Sequence, residues 1–214
     1  MTEAENFIEQ EVPLARRAAL PRSLGAAYGA VDLTIRETVY LQIPSAAMAA
    51  RGYLLPFAVE FALQGLVDKG DWPFTYEYEF NQRPTGRHLA ILTPNAVITI
   101  SQLQAGGSQP RWAGFRENYS LSNQILFGFE REALRKRFGD RRKHLILGHG
   151  YQELSFVQIG VPSPDGVGYM ATTQNILDEI RDATPDVVPA EEVPARELVT
   201  LKERLQRKLR DDVK

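Results

Sequence analysis

The sequence predicts an α+β fold: a mainly antiparallel sheet built from hairpins, packed against N-terminal helices, with a C-terminal helical tail on a Pro-rich linker. Three observations carry that expectation. Apolar residues recur at helical spacing through the first third of the chain. Near residue 74 the period changes to two, and the apolar runs that follow are joined by short turn sequences. After residue 181 the chain becomes acidic and proline-bearing, then ends in a leucine-striped, highly charged segment. Strands joined by hairpins, with few strand–helix–strand crossovers, favour this layering over a doubly wound sheet.

The elements follow in order. Residues 7–19 read as a short helix broken by Pro13. Leu24, Tyr28, Val31, Ile35 and Val39 then draw one apolar helical stripe, with Asp32 and Arg36 paired off it on the surface. A second long helix is expected over 46–68. It is apolar round most of its circumference, so it belongs in the interior, with Glu60, Gln64 and Asp68 as its one wet edge. Lys69-Gly70 closes it. FTYEYEF is a strand that should send Tyr76, Tyr78 and Phe80 to the core and Glu77 and Glu79 outward. HLAIL–TPN–AVITISQL is a hairpin, and QAGGSQP a surface loop. A third helix is expected over 127–138. A second hairpin, HLILGHGYQELSFVQIGV, precedes a last helix capped by Thr172 or Thr173. The globular domain is thus 1–181, the linker 182–195 and the tail helix 196–214.

Composition narrows the function classes. At 214 residues the chain can bury a substantial core. A formal charge of −2 gives no global field toward nucleic acid or an anionic membrane, so such binding would need a local patch. Cysteine is absent, which removes disulfides, thiolate metal sites and cysteine nucleophiles together. The N-terminus is acidic before it is basic and has no apolar core of a secretory signal. The most apolar window, 53–67, is interrupted by Pro56, Glu60 and Gln64, and falls short of the roughly 20 residues that a spanning helix needs. A cytoplasmic location is expected.

The chemistry-bearing stretches are few. REALRKRFGDRRKHLILGHG gathers Arg131, Arg135, Arg141, Arg142 and Lys143 beside a strand, and PRWAGFRENY interleaves Arg111 and Arg116 with Trp112. Arginines at a helix end hold phosphates, and an aromatic among cations stacks unpaired bases, so these eight residues form a candidate nucleic-acid surface. The plainer reading is a solvated helix flank whose cations complement the helix dipole. His144 and His149 are five apart, an odd offset that puts them on opposite faces of a strand, so no metal is expected there. No nucleophile elbow, Ser-x-x-Lys or Walker loop is present. Asp71, Glu77 and Glu79 are the one acidic constellation of a metal-dependent phosphodiesterase or nuclease, but no Glu-x-Lys completes it.

The tail is the clearest functional signal. Leu198, Leu201, Leu205 and Leu209 stay aligned on one side of a helix too short to stand alone in water. The expectation is a regulatory binding protein, antitoxin-like in organisation and without a cofactor. Its tail helix would engage a protein partner or a second copy. The alternative is a protein that binds or processes nucleic acid through the basic patch.

Overall fold

A computed structural model describes residues 1–80, 86–111, 113–123 and 142–183. Helix α1 (Glu3–Glu11) begins in a capping box: Thr2 Oγ1 accepts from Glu5 N, and Glu5 reaches back to Thr2 N. Pro13 ends it, and α2 (Leu14–Arg17) and α3 (Leu20–Glu37) follow. Arg17 is almost completely buried. It donates to the Val12 carbonyl and pairs with Glu9 and Glu179, tying the N-terminal helices to the last one. Leu24, Tyr28, Val31 and Ile35 form the buried stripe as expected, but Val39 lies past the helix end in a 3₁₀ turn (Val39–Leu41) and is 79% exposed. Asp32 pairs with Arg51 of the next helix, not with Arg36, because α3 and α4 lie side by side.

Helix α4 (Pro44–Asp68) starts on a proline, which suits a first turn, and closes on Gly70 at φ +79°, a left-handed cap that only glycine adopts without strain. Six strands then build one sheet in chain order: β1 (Thr75–Phe80), β2 (Arg87–Leu92), β3 (Ala96–Leu103), β4 (Lys143–Gly150), β5 (Val157–Pro162) and β6 (Tyr169–Thr172). Every neighbouring pair is antiparallel except the central one, β3–β4, which is parallel from Ala96–Lys143 to Leu103–Gly150. The molecule is therefore two three-stranded meanders joined side by side. Helix α5 (Gly114–Ser120) lies between β3 and β4 in sequence, and α6 (Ile176–Ala183) follows β6. Asn175, rather than either threonine, caps α6 by accepting from Leu177 N, and it also accepts from Val157 N.

Register sorts the sheet into two faces. Leu89, Ile91, Ile98, Leu145, Leu147, Val157 and Ile159 share one face and build the core with α1, α3 and α4. β1 is an edge strand, and this corrects the expected depth of its aromatics. Tyr76 is half-buried, while Tyr78 and Phe80 are 38% and 60% exposed. They point toward the helix layer, but that layer thins out at the edge. The loop between β2 and β3 is held from outside by Glu11, whose carboxylate accepts from Thr93 Oγ1, Asn95 N and Asn95 Nδ2.

Candidate functional site

Two surfaces stand out, one apolar and exposed, the other polar and sealed. The first begins at the 3₁₀ turn and runs along the opening half of α4. No residue of this helix before Leu55 is fully buried. Val39, Tyr40, Ile43, Met48, Tyr53 and Phe57 all stand in solvent, none less than 59% exposed. Tyr53 and Phe57 are one turn apart with ring centroids at 6.2 Å, forming an aromatic pair on the outer face. Arg51 is the single charged residue from 44 to 59, and Asp32 already pairs with it. Apolar side chains at this density are more than the scattered exposure that any surface shows. By length and hydropathy α4 also meets the requirement for crossing a bilayer, but its second half is packed into the core.

That second half corrects the expected wet edge. Gln64 is buried: its Nε2 donates to Tyr76 Oη at 2.8 Å, and its Oε1 accepts from Tyr78 Oη at 3.2 Å. Glu60 accepts from the backbone N–H of Leu89 at 3.4 Å, and burial pushes its carboxyl up to about 7. Of the three, Asp68 alone is exposed. The polar stripe faces β1 and β2 and fastens the edge of the sheet to the helix.

The polar surface lies on the opposite face of the sheet, under α5. His144 is fully buried, with Thr99 Oγ1 at 2.8 Å from Nε2 and Ser120 Oγ at 3.2 Å from Nδ1. Asn123 holds the start of β4, accepting from His144 N and donating to the His144 and Pro162 carbonyls. His88 stacks on Phe115 with centroids 3.8 Å apart and lies 3.8 Å from Glu79, which accepts a hydrogen bond from Tyr119. Pairing of β2 with β3 stops at Ala90–Thr99 although both strands continue. In that opening Arg116 Nη2 donates to the Ile100 carbonyl at 3.1 Å, while Nη1 donates to the Arg111 carbonyl. Gly160 completes the packing, since a Cβ there would fall 2.5 Å from the Tyr169 ring.

Burial sets the charge state of these groups. It pulls His144 down to about 3, with Arg116 and His88 adding to the effect, so its imidazole is neutral. His88 is lowered by burial first, against the opposing pull of Glu79. Arg116 falls to about 10 through desolvation and keeps its charge near neutral pH. His149 emerges on the core face, as the odd spacing requires, 2.7 Å from Tyr28 Oη through Nδ1. Tyr28 gives its one proton to the Gly150 carbonyl, so His149 Nδ1–H must be the donor to Tyr28 and Nε2 is left as a bare acceptor. Burial lowers His149 to about 4. Hydroxyl–imidazole pairs are thus present, yet Thr99, His144 and His149 have no solvent exposure at all. Their hydrogen bonds run to other protein groups.

The residues singled out in the sequence fare unevenly. Trp112, Arg131, Arg135 and Arg141, the helix expected over 127–138, and the tail residues Leu198, Leu201, Leu205 and Leu209 lie outside the described residues. Arg111 and Arg142 are exposed. Lys143 places its ammonium 4.6 Å from the centroid of the Phe7 ring, and Arg116 is turned inward to two carbonyls. Arg116 thereby lies against the backbone of Arg111, and Arg142 directly precedes Lys143 at the start of β4. The sequence does not mark the face of α4 as exposed, because a run of apolar residues looks the same whether or not something covers it. Its one signal was the crowding of Tyr40, Ile43, Met48, Tyr53 and Phe57 on both sides of a helix start. The chain matches no known family model, and no curated protein or solved structure is similar to it.

Proposed function

We propose that the protein is a non-catalytic binding protein of regulatory type, which engages a protein partner or a second copy of itself through apolar surfaces. One observation carries the reading: the exposed, nearly uncharged apolar face from Val39 to Phe57. Such a face costs solubility unless it meets another surface. The leucine stripe of 196–214 supplies a second apolar surface in the same molecule. The sealed condition of the histidine clusters supports binding over chemistry.

The test is the full chain carrying Tyr53→Ser and Phe57→Ser. Both side chains are already in water, so circular dichroism and thermal unfolding should stay as in the parent. Self-association measured by sedimentation equilibrium, or capture of a partner from native extract, should weaken at least tenfold, about 1.4 kcal/mol. Unchanged association in both assays would defeat the proposal.

A further inference from the structure

We infer that the leucine stripe of residues 196–214 seats on the Val39–Phe57 face of a second copy of this chain, the two copies exchanging tails reciprocally. The inference rests on the binding function proposed for that face, and it names the occupant. Dimensions agree. From Ile43 to Phe57 the helix presents about 21 Å of exposed apolar surface, and Leu198 to Leu209 would span about 17 Å as a helix. Charge does not oppose it. The segment 196–214 holds seven basic and four acidic side chains, a net +3, and residues 1–181 carry a net −1. The leucines would meet a stretch of α4 whose one charge is already neutralised by Asp32.

The point of departure favours a neighbour over the chain's own body. Helix α6 ends at Ala183, packed on α2, α3 and β5. The face to be covered lies on α4, which also packs on α3. The connecting residues hold Pro185, Pro189 and Pro194, a composition that favours an extended tether able to reach a neighbour. Reciprocal exchange is closed by a two-fold axis, so each pair covers both faces and both stripes and leaves none free to propagate.

The absence of cysteine gives a clean test in the full-length chain. Lys202→Cys, beside the stripe, is labelled with a thiol-reactive benzophenone, and the labelled protein is mixed with isotopically heavy parent protein. After irradiation, light-to-heavy cross-links should map to residues 39–57, roughly a hundredfold above those from a label on Val167→Cys, an exposed site elsewhere. The same links should vanish when the heavy chain carries Tyr53→Ser and Phe57→Ser. Links confined to one light chain, links mapping elsewhere, or yields no higher than the Val167→Cys control would each overturn the inference. If the double variant still loses association while cross-links miss 39–57, the face binds another protein and only the occupant is wrong. If the parent instead floats with phosphatidylcholine vesicles and the double variant does not, the face meets lipid and both readings fall.

Discussion

The two halves of α4 have much the same apolar content and opposite fates. From Leu55 onward the helix supplies Val59, Leu63 and Leu66 to the core and ties Glu60 and Gln64 to the sheet edge. Before Leu55 it carries Ile43, Met48 and Tyr53 into water. Pro56 sits at the junction, where its missing N–H leaves one helical hydrogen bond unmade. The contrast shows that burial is a property of what lies opposite a helix, not of the helix. The second half has both the sheet and α3 to pack against; the first half is supported on one side, where Ala47, Ala50 and Leu54 meet the core and Arg51 pairs with Asp32 of α3.

The contrast can be broken or sharpened by substitution. The largest difference is expected between Leu63→Ala and Tyr53→Ala. The first empties a fully buried site and should cost about 3 kcal/mol, whereas the second should stay within about 0.5 kcal/mol in chemical unfolding. Equal costs would erase the distinction between the halves.

Next is the pH dependence set by Glu60. Its carboxyl titrates near 7 in the folded chain against 4.5 ordinarily, so between those values the folded state holds a proton that the unfolded state has lost. Its contribution is complete below about pH 4.5 and is lost as pH rises through 7, by roughly 3 kcal/mol at most. Glu60→Gln keeps the acceptor for Leu89 N and should remove this decline. Unfolding curves of parent and variant from pH 5 to 8 should diverge as pH rises. Parallel curves would place Glu60 in water.

Gln64→Ala breaks the links to Tyr76 and Tyr78 and should destabilise by about 2 kcal/mol, a loss that a solvent-facing glutamine would not show. Smallest is Tyr78→Ala at about 1 kcal/mol, because the ring is 38% exposed and a packed ring would cost about 3. A full core penalty there would mean that the helix layer covers the ring completely.

Much of the fold was legible in the sequence. The period of two located β1, both hairpins gave β2–β3 and β4–β5, and Leu24, Tyr28, Val31 and Ile35 marked the buried side of α3. These are local signals, written in spacing. What was illegible depends on distant neighbours. Nothing in AVITISQL or KHLILGHG says that the two strands lie parallel, since residues 104–142 separate them and periodicity names no partner. Glu60 and Gln64 looked wet because a polar stripe on a helix is ambiguous until the tyrosines opposite are known. The site was read less well than the fold. The tail leucines rest on their pattern alone, while the exposed face of α4 could be recognised only from the surroundings it lacks.

The parallel seam between β3 and β4 has a consequence for how the chain folds. Each meander forms through short connections, but the seam requires a long loop to close before any of its hydrogen bonds can form. Closure is therefore expected to come late and to limit the rate. Until then β3 and β4 are unpaired edges, rich in Val97, Ile98, Leu145 and Ile146, open to strands from neighbouring chains. The central seam of the finished sheet is, during synthesis, the place where aggregation would begin.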